Sequence, residues 1–136
     1  MGNMNAKGRQ KKPSFFGMRR DIYKSDAFQT LRSPAKVIYW ELRQRFRKNP
    51  NTGSSNNGEI SLSVREAKKV ANAAQNTVQA ALQQLQRHGL IRINNKGYFT
   101  NMHATTFILT DEPFDGKPPT NEWRTFKKST VSKCDT

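Results

Sequence analysis

Residues 63–91 read SVREAKKVANAAQNTVQAALQQLQRHGLI, and the fold turns on how this stretch is read. Ser63-Val64-Arg65-Glu66 has capping-box spacing: the serine hydroxyl can accept the glutamate amide, and the glutamate side chain can reach back to the serine amide. A helix is expected from there to about Ala71. Asn72 follows, and asparagine tolerates the left-handed backbone of a helix end. A second helix is expected from Gln75 to His88, with Gly89 at the C′ position that favours glycine. Beyond Gly89 the apolar period shortens. Leu90-Ile91-Arg92-Ile93 reads as a strand and Asn94-Asn95-Lys96-Gly97 as a hairpin turn. Tyr98-Phe99-Thr100 begins the return, and Thr105–Thr110 is a second β-rich run.

On a helical wheel at about 100° per residue, Ala74, Val78, Ala81, Leu82 and Leu85 form the core stripe of the second helix. Asn76, Gln79, Ala80, Gln83 and Arg87 take the far side, and Gln75, Gln84 and Gln86 make the helix rich in amides. From Ala67 to Thr110 there is no Asp or Glu. Side-chain amides donate and accept at once, which matches the N6/N7 edge of adenine in a major groove. A carboxylate there would face phosphates. One excluded charge therefore unites the turn, the second helix and the hairpin as a single polyanion-facing surface.

Upstream, SPAKVIYWELRQRFRKN (residues 33–49) begins with Ser33 as a cap and Pro34 at the first helical position. Ala35, Ile38, Tyr39, Leu42 and Phe46 share its core face. Arg43, Arg47 and Lys48 are expected on its outer side, and Val37 with Trp40 forms a second apolar patch. A loop rich in Asn, Gly and Ser leads to a short strand, Glu59–Ser63, with Ile60 and Leu62 inward. A short helix is expected at Ser25–Leu31. Residues 1–20 carry six basic residues and no acid, and read as a flexible basic arm whose junction with the body falls near Phe15 and Phe16. The domain then occupies residues 21–115. Residues 116–136 form a tail that lies along the surface or frays.

The totals agree with this division. One domain fits 136 residues, and a formal net charge of +14 on 15.6 kDa exceeds what solubility asks for. Nucleic acid is the commonest partner of such a chain, and anionic membrane surfaces come second. No apolar run is long enough to span a bilayer, and the start lacks the apolar core of a secretory signal. Met1-Gly2 raises myristoylation, but Ala6 stands where Ser or Thr is wanted. The single Cys134 offers neither an internal disulfide nor a metal cluster. A cytoplasmic protein is expected.

The motif N-T-V-x-x-A-L-x-x-L-x-x-x-G-L-I, carried by Asn76, Thr77, Val78, Ala81, Leu82, Leu85, Gly89, Leu90 and Ile91, resembles the winged helix-turn-helix of GntR-type regulators. It is similar also to helix-turn-helix proteins of bacterial mobile elements. Ser63, Arg65, Glu66 and Ala67 extend the match, and HATTFILTDEP (residues 103–113) looks like the segment that closes the wing in the mobile-element relatives. The resemblance implies a mainly α fold with a small β-hairpin, an α+β winged helix-turn-helix, with Gln75–Arg87 as its recognition helix. It implies that Arg65 reaches a phosphate and that Gln75, Asn76, Thr77 and Gln79 face the groove; Gln83 and Arg87, on the same far side of the helix, are expected to contact DNA as well. The hairpin, with Arg92, Asn95 and Lys96, would touch the backbone or minor groove. Two positions depart from the family. Ala74 stands where a capping Ser or Thr is usual, and Gln75 and Gln79 stand where related regulators often carry Arg. That shifts the expected contacts toward A·T-rich sequence and leaves more of the affinity to Lys68, Lys69, Arg92, Lys96 and the arm.

The expected function is sequence-specific binding of double-stranded DNA by a small transcriptional regulator of a bacterium or mobile element. Origin binding in replication, or an accessory task in recombination, is the first alternative; an RNA-binding or protein-docking basic module is the second. The polar face of the second helix has no aromatic residue on which unpaired RNA bases could stack, which counts against the RNA reading. An enzyme is not expected. His88 and His103 have no acidic or cysteine neighbour, and His88 suits the negative end of its helix. No phosphate loop, metal-ligand spacing or nucleophile elbow is present. The Asp111-Glu112…Asp115 group reads as a solvated loop. No cofactor, metal or small-molecule effector is expected, since the tail is too short to enclose a metabolite. A homodimer is possible through Trp40 with Val37, or through Trp123; these side chains could equally pack on each other within one chain.

Overall fold

The computed structural model describes residues 16–95 and 105–127 of the chain. Two short helices, α1 (Arg20–Lys24) and α2 (Asp26–Gln29), lead into α3 (Ser33–Arg45). Then come β1 (Ile60–Leu62), α4 (Val64–Ala71), α5 (Gln75–Arg87), β2 (Ile91–Asn95) and β3 (Thr105–Leu109), and a 3-10 turn at Glu122–Thr125 closes the described chain. The result is a mixed α+β fold. Its three strands form one antiparallel sheet in the order β1-β3-β2, one strand more than a hairpin. Ile60 faces Phe107 across one ladder and Ile91 faces Leu109 across the other.

The local signals around residues 63–91 appear as bonds. The Ser63 hydroxyl accepts the Glu66 amide at 3.1 Å, and the Ser63 amide donates to the Glu66 carboxylate at 3.0 Å. Asn72 ends α4 in the left-handed region at φ 51°. Gly89 follows α5 at φ 79°, where its amide donates to Gln86 O at 3.0 Å and the Leu90 amide donates to Leu85 O at 3.1 Å. These two bonds satisfy carbonyls that the helix end would otherwise leave open.

Several expectations need correction. Ser33 is the first residue of α3 and not its cap; the cap position is Arg32, which has no capping side-chain bond and donates its amide to the Gln84 side chain at 3.1 Å. The Ser25–Leu31 helix is shorter and starts later, because Ser25 caps α2 by accepting the Phe28 amide, and α1 precedes it. Asn94 and Asn95 belong to β2 and not to a turn: Asn95 pairs with Thr106 after a bulge at Ile93/Asn95. Residues 96–104, which include Lys96, Gly97, the Tyr98–Thr100 return and His103, lie outside the described residues, as do 1–15 and 128–136.

The core gathers Ile22, Phe28, Ile38, Tyr39, Leu42, Ile60, Val78, Leu85, Leu90, Ile91, Phe107 and Leu109. Helix α3 lies against α4 and α5, and β1 lies beside it. Arg43, expected outside, is instead buried, and its Nη1 donates to both Asp111 oxygens at 2.8 Å. Asp111 is therefore not part of a solvated loop. Burial, with the Asp111 charge beside it, raises the Glu112 carboxyl above its ordinary range. Asn57, also buried, holds the end of β3 by donating to Leu109 O, Glu112 O and Pro113 O and accepting the Leu109 amide.

The start of the tail packs on the domain. Trp123 is buried, the Asn121 amide donates to Thr110 O, and Phe126 stacks on His88 with ring centroids 3.9 Å apart. His88 is itself buried, with Nδ1 2.7 Å from Ala27 O, so it joins α5, α2 and the tail. Residues 16–20 also lie against the body: Met18 packs on the core and Arg19 stands over the Trp123 ring. Trp40 does not meet Trp123. It remains 36% exposed in edge contact with Phe16. No described helix is long and apolar enough to cross a membrane.

Candidate nucleic-acid interface

The candidate interface is built on α4, the turn after it, and α5. The capping box fixes where α4 starts, and the left-handed Asn72 fixes where the chain leaves it. Together they set the approach of α5 to α4. Val78, Ala81 and Leu85 anchor α5 in the core, with Leu82 half-buried beside them. Helical spacing then forces the opposite side outward. Asn76, Gln79, Ala80, Gln83 and Arg87 are all exposed, and so are Gln75 and Thr77 in the first turn. Ala74, expected in the core stripe, is exposed because it is the N-cap and lies outside the helical register.

The glutamines divide between two tasks. Gln84 accepts the Arg32 amide, and Gln86 donates to Leu82 O at 3.3 Å, so both are engaged within the chain. Gln75, Gln79 and Gln83, with Asn76 and Thr77, point their polar groups to solvent. The amide-rich surface is thus narrower than composition implies.

Arg65, Lys68 and Lys69 are exposed on α4, and none of them is ion-paired with a described residue. With Asn72, Ala73 and Ala74 they line a concavity of about 490 Å³. The concavity opens at the start of α5, whose N-cap makes no side-chain bond. Uncapped helix amides carry partial positive charge and favour an anion. Three cations thus border one concavity beside the start of α5, an arrangement that suits an anion. The turn residues Asn72–Ala74 are not among the contact residues expected from sequence; the missing cap at Ala74 is the signal that points to them.

Carboxylates near this surface are held by partners. Glu66 is taken up by the Ser63 amide and by Arg45, which also pairs with Glu41 at 2.8 Å and donates to Ser61 O. The Ser63 amide bond, helped by Arg45, keeps the Glu66 carboxyl below its usual range. Arg45 thereby ties α3, β1 and α4 together behind the interface. On β2, Arg92 and Asn95 are exposed, but Arg92 pairs with Glu122 at 3.1 Å and offers less free charge than the α4 cations. Lys96 lies outside the described residues. Eleven of the twelve expected contact residues are described; all are exposed, and Arg65, Lys68 and Lys69 share one concavity. No protein-family model matches this chain, and comparison with the curated proteins and with the solved structures gives no match.

Proposed function

We propose that this chain is a winged helix-turn-helix protein that binds double-stranded DNA in a sequence-specific manner and controls transcription. One observation carries the reading: Arg65, Lys68 and Lys69, ion-paired with no described residue, line one concavity beside the uncapped start of α5, next to an exposed row of amides on that helix. In this reading the concavity holds a backbone phosphate, and that contact seats α5 in the major groove. Gln75, Asn76, Thr77 and Gln79 then meet base edges, with adenine as the best match for the amides. The order α3-β1-α4-α5-β2-β3, with β3 central in the sheet, supports the winged form. In this reading β2 and β3 carry the wing; Lys96, expected to touch the backbone or minor groove, lies outside the described residues.

The test is fluorescence anisotropy with two duplexes at several salt concentrations. One duplex comes from upstream of the protein's own gene, and the other is a shuffled copy. Preference for the upstream duplex that survives ~200 mM salt supports sequence reading. Equal binding that disappears with salt overturns it.

A further inference from the structure

The second exposed surface lies on α3, on the side turned away from α5. Helix α3 buries Ala35, Ile38, Tyr39 and Leu42 and packs on α4 and α5. Val37 and Trp40 project from its other side at 39% and 36% exposure, and Phe16, 46% exposed, meets Trp40 edge-on with ring centroids 5.2 Å apart. Phe16 and Phe46 also border a cavity of about 580 Å³, within the range of small-ligand sites. Arg43, Arg47 and Lys48 line it as well, and no described carboxylate does. The charge of Arg43 is met from behind by Asp111 and Glu112. Arg47 donates to Gln44 O and Phe46 O and is ion-paired with no described carboxylate, and Lys48 is exposed. Arg47 and Lys48 are thus the cations this cavity offers.

Exposed rings beside unpaired cations form the combination that binds unpaired nucleotides: rings stack on bases, and cations follow the backbone. A duplex hides its base faces and would gain nothing from the rings. A protein partner would use the apolar surface but would need its own run of acids to meet the cations. We infer that the exposed Phe16–Trp40 surface, with Arg47 and Lys48, is a second nucleic-acid site that takes a single strand, DNA or RNA. It does not depend on α5. It shares no residue with the proposed duplex site, so both sites can be filled together.

The experiment uses the full chain with 12-nucleotide oligo-dT and oligo-rU, read by anisotropy of a labelled strand and by tryptophan fluorescence. The chain has two tryptophans, and Trp123 is buried, so stacking is reported by Trp40. Expected results are quenching of Trp40 by the oligomers and binding that persists with saturating duplex present. Joint Phe16→Ala and Trp40→Ala substitution should weaken both oligomers by roughly tenfold to a hundredfold, the worth of a stacked base, and leave duplex affinity unchanged. Trp40→Phe keeps a ring and should retain binding. Whichever oligomer binds tighter identifies the strand type. Unchanged oligomer binding in the double alanine variant, full competition by duplex, or quenching by polyglutamate and by neither oligomer would each overturn the proposal. Single-strand binding without any duplex binding would remove the α5 reading and leave this one standing.

Discussion

The Arg43 guanidinium and the Asp111 carboxylate meet at 2.8 Å with side-chain exposures of 8% and 1%, joining α3 to the residues just after β3. A charge pair this deep costs desolvation on both sides, and removing one partner leaves the other buried without compensation. Arg43→Met should therefore destabilise the fold by about 3–5 kcal/mol. Arg43→Met with Asp111→Leu should recover most of that loss. Urea unfolding of the two variants checks this, and equal losses would show that packing, not the pair, matters at this point.

A smaller electrostatic effect is expected at Glu66. The Ser63 amide and Arg45 favour its charged form and hold its folded value below the ordinary one. Its contribution is thus fully present at neutral pH and fades as pH falls through that lowered value. Its side chain is 47% exposed, so the contribution should stay below about 1 kcal/mol. Glu66→Gln keeps an acceptor for the Ser63 amide but loses the pair with Arg45. Melting curves should separate variant from wild type at pH 7 and bring them together in acid, once the pH has fallen through that lowered value. A gap that widens in acid would contradict the assignment.

The two halves of the proposed duplex site should separate in binding experiments. Lys68→Ala with Lys69→Ala should weaken specific and shuffled duplexes alike and lower the salt slope by roughly 0.9 for each phosphate no longer neutralised. Asn76→Ala with Gln79→Ala should instead reduce the preference for the specific duplex by about 1–3 kcal/mol for each base no longer read, with little change in slope. If both pairs changed slope and preference equally, the division between backbone positioning and base reading would fail.

Much of this site is legible because its determinants are local. The capping box, the left-handed Asn72 and the glycine after α5 each depend on bonds spanning a few residues, and periodicity alone sorts Val78, Ala81 and Leu85 from Asn76, Gln79 and Gln83. What escapes is long-range. Arg43 reads as another outward cation because Asp111 is 68 residues away. Gln84 reads as one more amide of a Gln-rich helix because Arg32 is 52 residues away, and His88 cannot announce Ala27 across 61. Trp40 is plainly apolar, but its ring partner is Phe16, 24 positions earlier in the chain and on no helix whose periodicity could pair them.

Gly89 joins local and long-range demands. It is left-handed, and a Cβ there would lie 2.7–2.9 Å from the backbone of Glu122 and Trp123. Gly89→Ala incurs the cost of the left-handed conformation, about 1–2 kcal/mol, and must also displace the tail from the end of α5. A loss above about 2 kcal/mol is expected, beyond that conformational cost alone, with increased exposure of Trp123 in fluorescence. A loss within the conformational range and an unmoved Trp123 spectrum would mean that the tail yields freely.

One comparison isolates the proposed duplex face with charge held constant. Gln83 and Gln84 are sequence neighbours on α5, but Gln83 is exposed with its side chain toward solvent, whereas Gln84 reaches the start of α3 and accepts the Arg32 amide. Gln83→Glu adds a negative charge to the proposed duplex face and should abolish duplex binding while the protein stays folded. Gln84→Glu adds the same charge at the N-terminus of α3, where it retains an acceptor for Arg32 and gains a favourable dipole. It should stabilise the fold by roughly a few tenths of a kcal/mol and weaken binding much less. Anisotropy with the specific duplex, paired with a melting curve for each variant, reads both effects. Equal losses of affinity would show only a response to net charge, and α5 would lose its claim as the reading helix.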